Sequence, residues 1–253
     1  MEKIIPKIKF ELMSLDEISG LLEWSVIIDE GILPISNYVK EQYPELNNIK
    51  NWKKYSTEER TKKIKELITE SYNSDIDEYK KILINYEEIW EKYNNNYMKS
   101  LSKILNINWC YELREIIVKV GKIPIYPREI DKYCFYIGKM EDKYFIETVM
   151  HECCHFLYFE KWKELFENWS IEEFDSPHII WYLSEMVIDP ILNNIEIQKV
   201  YKYDFKAYKN FYNIDIQGEN LMEHIKSIYK NNTIENAIIK SYNFVLEKEE
   251  YII

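Results

Sequence analysis

The sequence predicts an α+β fold, predominantly α-helical, with a small, mostly antiparallel sheet and a helical N-terminal region. Three observations carry this. Only 5 Gly and 7 Pro occur in 253 residues, which leaves few turns and favours helices. Apolar residues recur at helical spacing through most of the chain. Between 107 and 140 that spacing gives way to β-branched and aromatic runs punctuated by proline.

Residues 14 to about 105 read as helices. Ser14 with Glu17, and Ser56 with Glu59, have the Ser-x-x-Glu form of a capping box. Ile18, Leu21, Leu22 and Trp24 follow the first; Ile64, Leu67 and Ile68 follow the second. Gly31 to Pro34 breaks the pattern between them. From Ile76 to Leu105 a further helical segment carries Tyr79, Ile82, Leu83, Tyr86, Ile89 and Trp90 on one stripe, which predicts a core face. Ile116 to Val120 reads as a strand, and Ile123 to Arg128, with two prolines, as an edge or loop. Tyr133 to Gly138 reads as a second strand, and after 143 the chain returns to helix. A helical region over 1–106 and a second region over 107–253 follow.

Composition excludes several classes. At 46% hydrophobic and 15% aromatic the chain is too apolar for a disordered protein. With 44 acidic against 33 basic side chains, net −11, charge-driven nucleic-acid binding is excluded. No apolar run approaches the roughly 18 residues of a transmembrane helix, so no membrane partner is expected. The N-terminus has no apolar stretch of signal-peptide form, and Cys110, Cys134, Cys153 and Cys154 form no CxxC pair. Reduced thiols and a cytoplasmic location are expected. Oligomeric state is left open.

The chemistry concentrates in His151, Glu152, Cys153, Cys154 and His155, an HExxH sequence holding two of the chain's 4 histidines. At about 100° per residue, His155 lies roughly 40° round from His151 and one turn along, so both imidazoles reach one tetrahedral ion. Glu152 lies about 80° from the midpoint of that pair, beside the ion rather than on it. Cys153 faces away, into a stripe of Ile146, Val149, Met150 and Leu157. Cys154 lies on the other flank of the metal face, and a better third ligand comes later. A catalytic zinc takes three protein ligands, and no Gly or His follows in the positions of HExxHxxGxxH. Downstream, Ser176 and Pro177 have the form of a helix start. In that helix Glu185 and Asp189 sit four apart among apolar residues, where a lone carboxylate would be costly to bury. Ligation by Glu185, with Asp189 orienting a ligand histidine, accounts for both acids.

His151, Glu152, His155, Glu185 and Asp189 together resemble the pattern of the gluzincins, the thermolysin-like zinc metallopeptidases, whose HExxH is followed by ExxxD on a second helix. The resemblance covers about 135 to 195. It implies a zincin-like core, with strands over 115–139, an HExxH helix over about 143–162, a Glu-ligand helix over about 177–190 and C-terminal helices. It implies Zn2+ as cofactor, a peptide or protein as substrate, and an activated water with Glu152 as general base and then acid. A strand beside the cleft would bind substrate through Tyr136, Ile137 and Gly138. His224 and His178 are candidates for the oxyanion donor, as are Tyr201, Tyr203 and Tyr212. Pro190 departs from the pattern and places Asp189 at a helix end. Gly138 to Asp142 looks like the substrate-anchoring GAMEN motif of zinc aminopeptidases, but lies too close to HExxH and reads as a strand end and turn. Two other classes fit the same residues: a regulatory metalloprotein similar to the ImmA/IrrE group, acting on one protein partner, and a non-catalytic zincin-like binding scaffold.

Overall fold

The structure, a computed structural model, describes residues 4–27, 35–49 and 51–253. Its sheet begins where the sequence alternates charged with apolar residues. Strand β1 (Lys7–Leu12) pairs in parallel with β2 (Glu115–Val120), and β2 pairs in parallel with β4 (Cys134–Ile137). The short β3 (Arg128–Glu129) closes antiparallel on β4, giving the order β1-β2-β4-β3. The sheet is therefore mainly parallel, not mostly antiparallel. Parallel neighbours need a long crossover, and the helices between β1 and β2 are that crossover.

Those helices are α1 (Leu15–Ile27), α2 (Ile35–Gln42), α3 (Thr57–Glu91) and α4 (Asn94–Leu105). Both capping boxes form. Ser14 N–H donates to Glu17 Oε2 at 2.7 Å, and the Glu59 N–H donates to Ser56 Oγ at 3.2 Å. Helix α3 runs unbroken through the two segments that the sequence separates, over 35 residues. The break expected at Gly31 to Pro34 lies outside the described residues. Tyr79, Tyr86, Ile89 and Trp90 are buried as the stripe predicts.

The second half is organised around α5 (Asp142–Leu165), on which α3 and α4 pack. Then come α6 (Ile179–Met186), α7 (Ile188–Leu192) and α8 (Ile195–Gln198). A small hairpin, β5 (Asp215–Ile216) and β6 (Glu219–Asn220), turns on Gln217 and Gly218, both with positive φ, as a two-residue hairpin requires. Helices α9 (Leu221–Asn231), α10 (Ile234–Glu247) and α11 (Glu249–Ile252) complete the chain. Residue 106 does not separate two cores. Phe10, Tyr86, Trp90 and Tyr97 share one apolar cluster with Val118, Phe135, Val149 and Leu183. A smaller cluster of Met13, Ile18, Leu22, Val39 and Ile64 lies between α1, α2 and α3.

The helix carrying Glu185 differs from its expected form. It starts at Ile179 with His178 as N-cap, so Ser176 and Pro177 lie outside it. It ends at Met186, and a new short helix carries Asp189 and Pro190. Pro190 causes the interruption: its ring collides with the carbonyl four residues back and cannot donate to it. Among the described residues no helix is long and apolar enough to cross a membrane.

Candidate metal centre

Helix α5 is buried on most of its circumference, with Phe145, Val149, Met150, Cys153, Phe156 and Leu157 all enclosed. Its rotation is thereby fixed, and so is the direction of its two imidazoles. Far down the helix, the side chain of Lys161 is 2% exposed and pairs with Glu235 on α10 at 3.0 Å, tying α5 in place. One turn apart, His151 and His155 bring their Nε2 atoms to 2.8 Å. Glu185 reaches them from α6, with Oε2 at 3.1 Å from His151 Nε2 and Oε1 at 3.4 Å from His155 Nε2. The three ligand atoms lie within 4.8 Å of one another. A tetrahedral ion bonded at about 2.0–2.1 Å would hold such atoms roughly 3.3 Å apart. Two nitrogens and a carboxylate at these separations could hold a metal ion. His155 and Glu185 are buried, whereas the His151 side chain is 21% exposed, so the centre opens on the His151 side.

Burial and neighbouring charge shift the titratable groups of the cluster. Burial pushes the Glu185 carboxyl up, but His155, Arg128 and the contact from His151 outweigh it and hold Glu185 well below the usual carboxylate range. Burial pushes His155 down to about 3, with Arg128 adding to the effect, so its imidazole is neutral and available as a ligand. Burial also lowers His151, but its contact with Glu185 prevails and leaves it above the ordinary value. The Nδ1 of His155 has no hydrogen-bond partner among the described residues. Glu152 is buried beside the centre, with Oε1 4.0 Å from His151 Nε2. Burial raises its carboxyl, against the pull of Arg128 and His151.

Two residues that the sequence reading does not single out are tied to the group, Arg128 by contact and Tyr208 by its electrostatics. Arg128, on β3, extends a guanidinium whose Nη2 is 3.0 Å from Glu185 Oε1 and whose Nη1 is 3.4 Å from Glu152 Oε2. Its side chain is only 9% exposed. Tyr208 packs beside Trp181 and Phe211 and is 42% exposed. The charge of Glu185 raises its phenol, burial and Glu152 add to the rise, and Arg128 opposes it. The hydroxyl therefore lies in the field of the same charged groups. No local pattern marks either residue, since both enter the site by tertiary placement.

Several expected roles are not met. The Asp189 carboxylate accepts from Tyr212 at 2.6 Å and from Asn193 at 2.9 Å, and no hydrogen bond joins it to a ligand histidine. His178 is an exposed N-cap, and His224 pairs with Glu219 at 2.8 Å and stacks on Phe244. Tyr201 and Tyr203 stack on each other, and Tyr212 is committed to Asp189. The edge of β4 is covered. Tyr136 N–H donates to Pro127 O at 3.0 Å, Ile137 is buried, and a Cβ on Gly138 would stand 2.6 Å from the Ile123 carbonyl oxygen. The 123–129 segment thus covers this edge at the Tyr136 N–H and at Gly138. Cys154 is buried and outside the ligand group.

The chain matches no protein-family model, and no curated protein or solved structure matches it.

Proposed function

We propose that this protein is a zinc-dependent hydrolase of peptide bonds, acting on a peptide or protein substrate. The observation that carries the reading is the convergence of His151, His155 and Glu185, with a buried Glu152 beside them. Zinc bound there supplies Lewis acidity toward water and the scissile carbonyl. Glu152 takes the proton of the attacking water and returns it to the leaving amine. Its raised affinity for a proton, caused first by burial, suits a group that must both accept and donate near neutrality. Tyr208, whose phenol feels the charges of Glu185, Arg128 and Glu152, is the candidate in this reading to donate its hydroxyl hydrogen to the developing oxyanion.

The test combines metal analysis with a peptide-library digest. Native protein should carry stoichiometric zinc and cleave some member of the library. Glu152→Gln should keep the metal and lose hydrolysis by about 10²–10⁴-fold. His151→Ala should lose both. Full activity of Glu152→Gln on any substrate the native protein cleaves refutes the mechanism.

A further inference from the structure

We propose that Arg128 is a positioning residue for the metal centre, its guanidinium holding Glu185 as a ligand and Glu152 off the ion. The inference rests on the metal reading above. Nη2 takes Glu185 Oε1 at 3.0 Å, which leaves Oε2 facing His151 Nε2 at 3.1 Å. Nη1 takes Glu152 Oε2 at 3.4 Å, and the other oxygen of Glu152 stays 4.0 Å from the same His151 nitrogen. Two mutually repelling carboxylates are thus fixed relative to each other by one rigid plane. A lysine ammonium offers a single point of charge and cannot make that fork.

Arg128 is itself well anchored. Its backbone is in register with Phe135 on β4, and its guanidinium lies 6.0 Å from the Phe159 ring centroid, on the same helix as both histidines. Outer groups that orient ligands are a general need of metal sites. Asp189, the expected supplier, is turned toward Tyr212 and Asn193. The guanidinium occupies the complementary place, on the carboxylate ligand instead of a histidine.

The charge-conserving variant Arg128→Lys isolates geometry from charge. Its zinc affinity, measured by competition with a chromophoric chelator, should fall about 10–100-fold. Its Co2+-substituted visible spectrum should differ from the native one, and its metal-free melting temperature should stay within a few degrees. Asp189→Asn should leave affinity within about threefold of native, well short of the loss expected of an orienting group. An Arg128→Lys protein with native-like affinity and spectrum overturns the proposal. Should that variant not fold, Arg128→Gln is read by its cobalt spectrum, and a native-like spectrum has the same consequence. Native protein that takes up no zinc removes both readings, whereas native-like binding by the variant removes this one alone.

Discussion

Replacing Glu185 by Gln tests the ligand set most directly, because the side chain has two jobs that act in opposite experiments. In metal-free protein Glu185 is the closer of two anionic partners for a guanidinium whose side chain is 9% exposed. Breaking a buried pair from one side costs about 3–5 kcal/mol. Glu152 remains at 3.4 Å and the amide oxygen of Gln still accepts a bond, so the lower end applies. Unfolding entropy near 2.1 cal/mol/K per residue gives roughly 0.5 kcal/mol/K for a chain of this length. Metal-free Glu185→Gln should therefore melt about 6 °C below native.

Zinc then separates ligation from simple packing. At a free concentration a hundred times the dissociation constant, binding stabilises the native protein by about 2.7 kcal/mol, or roughly 5 °C. A hundredfold weaker site at the same concentration gives only about 0.4 kcal/mol, under about 1 °C. Scanning calorimetry of both proteins, with and without buffered zinc, should show a shift of several degrees in native and almost none in Glu185→Gln. Glu152→Gln, with all three ligands kept, should retain the shift. A Glu185→Gln protein that gains as much as native from zinc would show that its carboxylate is not a ligand, and the hydrolase reading would fall with it.

Tyr208→Phe should lower kcat by about 10²–10³-fold, as loss of one oxyanion donor does, with zinc content unchanged; an unaltered kcat removes Tyr208 from the reaction. In the metal-free protein His155 should cost stability in mild acid. The buried His155 has a folded-state pKa near 3, below its unfolded value, so the unfolded chain binds the extra proton. Its contribution is then about 1.4 kcal/mol per pH unit below about 6.5. The depressed Glu185 adds a loss in the same direction at lower pH, below the ordinary carboxylate range. His151, raised by its carboxylate, works the other way, its stabilisation being complete below the unfolded value and lost as pH rises through the folded one. Urea melts of the native protein and of His155→Gln at pH 7.5 and 5 isolate this residue from His151 and from Glu152, whose raised carboxyl also works the other way. The native protein should lose more stability on acidification than the variant, and equal pH dependence in the two would contradict a buried neutral His155. Gly138→Ala should destabilise by about 1–3 kcal/mol through collision with the Ile123 carbonyl, and a neutral effect would mean that 123–129 does not cover β4.

What the sequence revealed of the site was whatever lies within one helix. His151, Glu152 and His155 share a turn, and their spacing alone sets their geometry. Glu185 was legible for a different reason, as an acid on an otherwise apolar stripe. Its contact with the imidazoles is tertiary, but its cost of burial is local. Asp189 was misplaced although the relevant signal, Pro190, stood beside it: the proline breaks the helix before Asp189 instead of ending it after. Strand β1 also had a visible pattern, with Lys7, Lys9 and Glu11 alternating with Ile8, Phe10 and Leu12. Its partner β2 comes after the entire helical crossover, so nothing nearby marked it as part of a sheet or that sheet as parallel. Arg128 was not legible at all, since an arginine after two prolines reads as solvated until β3 folds against β4.

The composition of the centre gives a last reason to regard it as a working site. His155, Glu185 and Glu152 are buried, and the Phe159 ring lies beside both the Arg128 guanidinium and the His155 imidazole. Apolar residues of similar volume at such positions are often neutral or stabilising by comparison with buried ionic groups. The cluster is therefore a poor device for stability alone. Two nitrogens and a carboxylate oxygen also converge within it, and the Nδ1 of His155 behind them has no hydrogen-bond partner among the described residues. The group brings the two Nε2 atoms and the Glu185 carboxylate together, leaves the His151 side chain 21% exposed, and sets Glu152 beside them. These are the features that binding a cation and moving a proton next to it require.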